Sequence, residues 1–184
     1  MTTPVDAASP KQKDKIDIYF LSSPDAQDVE ACQRLHKFLA PVIKNLPIEI
    51  YSDYSIPEGA DIPKYKEMLY HADIVVAFGS SDLIDNEETY ARVQKVILKR
   101  NNNEIILMAI LVRNFLFDEP PFSLLPLLPT NHQPLNSRKF WDIDDAYTTV
   151  GKELRDAIKQ FADHYLMVKP GENDNQHKKT INHC

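Results

Sequence analysis

Three apolar runs in this 184-residue chain end in hydroxyl or carboxylate side chains. Residues 16–21 run into Ser22-Ser23, residues 48–51 into Ser52-Asp53, and residues 73–78 into Gly79-Ser80-Ser81-Asp82. Serine hydroxyls and amides at the end of a strand can face a ribose or a phosphate; serines there also cap helices and close turns. Asp53 can steady the loop that follows it or approach a ribose hydroxyl, and an Asp bonding its own backbone in a turn is the commoner use. Glu87 and Glu88 open a helical stretch, where acids complement the macrodipole, and Glu88 stands four residues before Arg92 at ion-pair spacing. Other chemistries lack their residues. The six histidines show no metal-ligand spacing, so no metal site is expected. There is no Gly-x-Ser-x-Gly elbow, no support for a Cys–His nucleophile pair, and only four glycines for any phosphate cradle.

The elements that must position these groups alternate strand and helix. Strands are expected at 16–21, 48–51, 73–78 and 105–112, the third and fourth continuously apolar as for strands covered on both faces. Helices are expected at 28–44 (Val29, Cys32, Leu35, Leu39 and Val42 on one face), 62–72, 87–100 (stripe Tyr90, Val93, Val96, Ile97) and 144–161. Residues 115–134 carry five prolines and read as loops and short turns. The fold class is α/β: a doubly wound, flavodoxin-like parallel sheet with helices on both faces. Ligands of such sheets sit beyond the carboxyl ends of the strands, so loops 22–28, 52–61, 79–86 and 113–121 matter most.

Length and composition fit one core-bearing domain: 43% apolar and 26% charged residues. The domain is expected over 15–162, with a polar N-terminal arm at 1–14 and a helix end plus polar tail at 163–184. A formal charge of −6 disfavours a nucleic-acid binder, which needs clustered Lys and Arg. No run of 18 apolar residues occurs, so no membrane span is expected. Two cysteines, Cys32 and Cys184, and no apolar leader core fit a cytoplasmic protein without an internal disulfide.

A dinucleotide-binding Rossmann unit needs G-x-G-x-x-G after strand one, and here that turn is Ser22-Ser23-Pro24-Asp25. A phosphoacceptor receiver needs an Asp ending strand three, which instead ends Phe78-Gly79-Ser80-Ser81. A third set of motifs fits better. Ile18-Tyr19-Phe20-Leu21-Ser22-Ser23 resembles the first box of TIR (Toll/interleukin receptor) domains. Ile48-Glu49-Ile50-Tyr51-Ser52-Asp53 followed by Ile56-Pro57-Glu58-Gly59 resembles their second strand and BB loop. Ala72 to Asp82 resembles the third strand with its Ser-x-Asp exit, Ile106 to Arg113 the fourth, and Phe140-Trp141 the third box. The order and spacing extend over about residues 15–162 and suggest a bacterial-type single-domain member.

That resemblance implies cleavage of NAD, as substrate rather than cofactor, at the nicotinamide–ribose bond. The setting would be bacterial anti-phage immune signalling, switched on by self-association. The transition state is oxocarbenium-like, and a single carboxylate near the ribose stabilises it. Phe20, Ser22, Ser23, Asp53, Ile56 and Pro57 would border the nucleotide. In the BB loop Gly59 would supply a positive φ and Pro57 stiffness. The family's catalytic Glu falls on the third helix, near Val93 when counted from Ser80-Ser81 and near Arg92 or Val93 when counted back from the fourth strand, and Val93 belongs to the apolar stripe. The nearest acid available for the role is Glu88. The alternative is an inactive TIR module that acts through TIR–TIR contacts, including the BB loop, or senses a nucleotide. Either way a separate sensor protein is a candidate partner.

Overall fold

The computed structural model describes residues 14–140 and 142–166. The expected arm, the tail and Trp141 lie outside the described residues, apart from Asp14 and the end of the last helix. In chain order the elements are β1 (Ile16–Leu21), α1 (Ala26–Phe38), α2 (Ala40–Asn45), β2 (Ile48–Ser52) and α3 (Ile62–Glu67, with a further 3-10 turn). Then follow β3 (Ile74–Gly79), α4 (Ser81–Asp85), α5 (Glu87–Asn101), β4 (Ile106–Leu111), β5 (Leu127–Leu128) and α6 (Ile143–Tyr165). All strands pair in parallel in the order β2-β1-β3-β4-β5, with helices on both faces: the doubly wound, flavodoxin-like arrangement.

Alternation along the strands splits the core in two. Ile18, Phe20, Ile74, Val76, Phe78, Met108 and Ile110 face α1 and α6, meeting Cys32, Leu35, Val150, Leu154 and Ile158. Tyr19, Leu21, Val75, Ala77, Leu107 and Ala109 form the other cluster, with Leu69, Val93 and Val96. Helices start where a short polar side chain can satisfy a free N–H. Asp25, Asp61, Ser80, Asn86 and Asp142 each accept from a backbone amide two or three residues on.

Five spans differ from expectation by more than a residue or two; the helix foreseen at 62–72 is α-helical only to Glu67, with a 3-10 turn over Met68–Tyr70. The helix foreseen at 28–44 is two helices, because Pro41 has no N–H to donate and its ring crowds the preceding turn. A five-residue helix, α4, precedes the expected third helix because Ser80 caps it at once. The Pro-rich segment contains β5, two residues long, paired with β4 through Ala109↔Leu127 and Ile110↔Leu128. The last helix extends to Tyr165, four residues past its expected end. Among the described residues no helix is long and apolar enough to cross a membrane.

Candidate functional site

In this strand order the winding of the sheet reverses between β1 and β3, the point at which parallel sheets of this kind hold ligands beyond the carboxyl ends of their strands. Ser22 and Ser23 leave β1 there, Ser80 leaves β3, and all three are buried. The residue they gather around is Asp28, third in α1 and fully buried. Ser23 Oγ donates to Asp28 Oδ2 at 2.6 Å, and Ser80 Oγ donates to the same oxygen. Arg113, just past β4, donates from Nη2 to Asp28 Oδ1 at 2.8 Å. The same guanidinium pairs with Asp25 at 3.2 Å and with Asp82. A carboxylate with no solvent around it needs both hydrogen bonds and a counter-charge, and Asp28 has both.

The serines carry structural duties as well. Ser23 Oγ accepts from the Asp25 amide at 3.2 Å, and Ser80 Oγ accepts from the Leu83 amide at 3.2 Å, capping α4. The carboxylates of Asp25, Asp28 and Asp82 bring oxygens within 4.8 Å of one another. Arg113 supplies the cation of that cluster. Burial works against its charge, but the hydrogen bond to Asp28 and the fields of Asp28, Asp82 and Asp25 outweigh burial, so it holds its proton more tightly than a free arginine.

A second polar group lies on the opposite face of β1. Arg92, on α5, grips Asp53 with both terminal nitrogens, Nη2 at 3.1 Å from Oδ1 and Nη1 on Oδ2. Tyr19 completes a triangle: its hydroxyl donates to Asp53 and accepts from Arg92 Nη2 at 3.0 Å. The guanidinium also stands 5.7 Å from the Tyr19 ring centroid, at cation–π range. The Arg92 and Asp53 side chains are 12% and 9% exposed, so little water screens the pair. Burial, then Asp53, pushes the Tyr19 phenol well above its ordinary range. Burial opposes the charge on Arg92, yet its bonds to Asp53 raise its pKa. Nearby, burial first and the Asp53 charge second push Tyr54 up to about 12.

The expected site residues are therefore dispersed over several duties. Ser22 Oγ, just past β1, is buried with no hydrogen-bond partner among the described residues, as is Arg113 Nε. Ser23 and Asp53 are committed to the two networks. Phe20 is a core residue, 1% exposed and edge-on to Phe78 with centroids 5.3 Å apart. In the β2–α3 loop Pro57 is exposed and Ile56 half-buried. Gly59 takes the positive φ foreseen for it, at 80°. Glu88 lies in the first turn of α5 with its side chain 75% exposed, and its ionic contact is Lys66 of α3 at 3.8 Å. The i,i+4 pairing with Arg92 suggested by spacing is not the one formed, because Arg92 turns inward to Asp53.

No protein-family model matches the chain, and no curated protein matches its sequence. Asp28, Arg92 and Arg113 are the residues that reading by motif passes over. Asp28 looks like an ordinary acid in a first helical turn. Arg113 carried a usable signal, a lone cation directly after an apolar strand at the binding edge of the sheet. Chemically, the buried carboxylates Asp28 and Asp53 are each bonded to a guanidinium, and Arg113 is shared with Asp25 and Asp82. Such bonds tie both side chains to the frame of the site.

Proposed function

We propose that this chain is a TIR-like interaction module that does not cleave NAD. One observation carries the reading: the resemblance puts the catalytic Glu at Val93, or at Arg92 when counted back from β4, and Val93 is buried in the core while the Arg92 guanidinium is spent on Asp53. A glycosyl transition state is positively charged at the ribose and needs a carboxylate unopposed by a nearby cation. Asp53 is gripped bidentately and Asp28 is closed by Arg113, Ser23 and Ser80. Asp53 offers net negative charge only by breaking its pair, and Asp28, which shares Arg113 with Asp25 and Asp82, is fully buried. What remains for function is the exposed surface, including the β2–α3 loop with Pro57 at its rim.

A second reading keeps enzymatic activity, and Glu88 favours it. That carboxylate is exposed and, among the described residues, held only by a 3.8 Å contact to Lys66, so a neighbouring subunit could recruit it. The discriminating assay is nicotinamide release from NAD by the concentrated full chain, alone and under crowding, beside Glu88→Ala. The module reading expects no release from either protein. Release that disappears in Glu88→Ala would replace it with an NAD-cleaving enzyme.

A further inference from the structure

Charge along α4 and α5 is sorted by sign. Asp82, Asp85, Glu87 and Glu88 come first; Arg92, Lys95, Lys99 and Arg100 follow. At about 1.5 Å of rise per residue, the poles of α5 stand roughly 20 Å apart. The helix macrodipole favours this sorting, so charge alone calls for no partner. The aliphatic side chains at the two poles are different. At the acidic pole a cleft of about 520 Å³ is lined by Ser81, Asp82, Ile84, Asp85, Phe115 and Leu116, and Leu116 is 75% exposed. At the basic pole Leu98 is 64% exposed on the outer face of α5, one turn beyond Lys95.

We propose that the cleft receives Leu98 of a second copy of this chain. The proposal rests on the interaction-module reading and names its surface. The match is one of shape and of charge. Leu98 is a single aliphatic knob, and Phe115, Leu116 and Ile84 give the cleft an apolar floor. Lys95 shares the exposed face of Leu98 and extends over the Tyr70 ring at 5.8 Å, on the surface of the helix. Asp85, at the rim of the cleft, is exposed and has no ion-pair partner among the described residues. Lys95 of the incoming copy supplies it. Knob and cleft sit at opposite poles of one molecule, so the contact is head-to-tail. A head-to-tail contact that does not close into a ring grows into an open chain.

The polarity makes the test selective. Leu98→Asp spoils the knob and keeps the cleft; Leu116→Asp spoils the cleft and keeps the knob. Both side chains are exposed, so neither change opens a core. Analytical ultracentrifugation of the full chain, from micromolar to millimolar, is expected to show a mass that climbs past the dimer. Each variant alone is expected to stay monomeric. An equimolar mixture of the two is expected to stop at twice the monomer mass, because only one productive pairing remains. A wild-type mass independent of concentration overturns the proposal, as does a mixture that stays monomeric or variants that associate like wild type. Association abolished by Ile56→Asp but untouched by Leu98→Asp also overturns it, placing the contact at the β2–α3 loop. None of these results bears on nicotinamide release, so the two readings fail separately.

Discussion

Replacing Arg92 by Met removes one half of an ion pair that water barely reaches. The methionine keeps most of the aliphatic stem, so the change isolates the guanidinium. Asp53, 9% exposed, is then left with the Tyr19 hydroxyl as its remaining hydrogen bond. Breaking a buried pair from one side costs about 3–5 kcal/mol, and the surviving Tyr19 bond sets the expectation near the lower end, about 3 kcal/mol. For a domain of this size that is a fall of roughly 6–12 °C in Tm. The double variant Asp53→Leu, Arg92→Met removes both charges and is expected within about 1 kcal/mol of the wild type, since apolar replacement of a whole buried pair is often neutral. Urea denaturation of the four proteins closes a double-mutant cycle, with an expected coupling of at least about 2 kcal/mol. Additive single effects, or an Arg92→Met variant as stable as wild type, would refute the claim that this pair is dry and mutually dependent.

Two further outcomes follow from local geometry. Cys32 is 2% exposed, and burial pushes its thiol up to about 12. In a Cys184→Ala background it should resist a disulfide reagent at pH 8 until denaturant is added; rapid native reaction would contradict its burial. Gly59→Ala places a Cβ at φ 80° with nothing within 4 Å of it. The cost is then pure backbone strain of about 1–2 kcal/mol, read as a lowered denaturation midpoint with an unchanged m-value.

The sheet was largely legible because its strands are apolar on both faces, and such runs stand out without context. β1 occupies the expected residues 16–21, and the spans of β3 and β4 differ from expectation only at their ends. β5 was illegible for the opposite reason: two leucines between Pro126 and Pro129 make no pattern, and only pairing with β4 defines them. The site was legible at its serines and at Asp53, which follow strands, and at Gly59, whose type announces its backbone. Asp28 was not. Its burial depends on Ser80 and Arg113, which arrive from 52 and 85 positions away in the chain. Arg92 sits beside the apolar stripe that holds Val93, and nothing local says that it turns toward Asp53 rather than Glu88.

That distance between Asp28 and Arg113 also orders the birth of the protein. As the chain leaves the ribosome, β1, α1, β2 and β3 emerge while Arg113 is still unmade. A nascent chain that packs α1 onto β1 early buries an acid with no cation to meet it, an arrangement that costs several kcal/mol. Until β4 has passed, Asp28 therefore lacks the cation that balances it, and α6, which completes the core beside α1, follows later still. Fragments that end before residue 113 should be cut by proteases more readily than the full chain, since they lack both the counter-charge of Asp28 and the α6 side of the core.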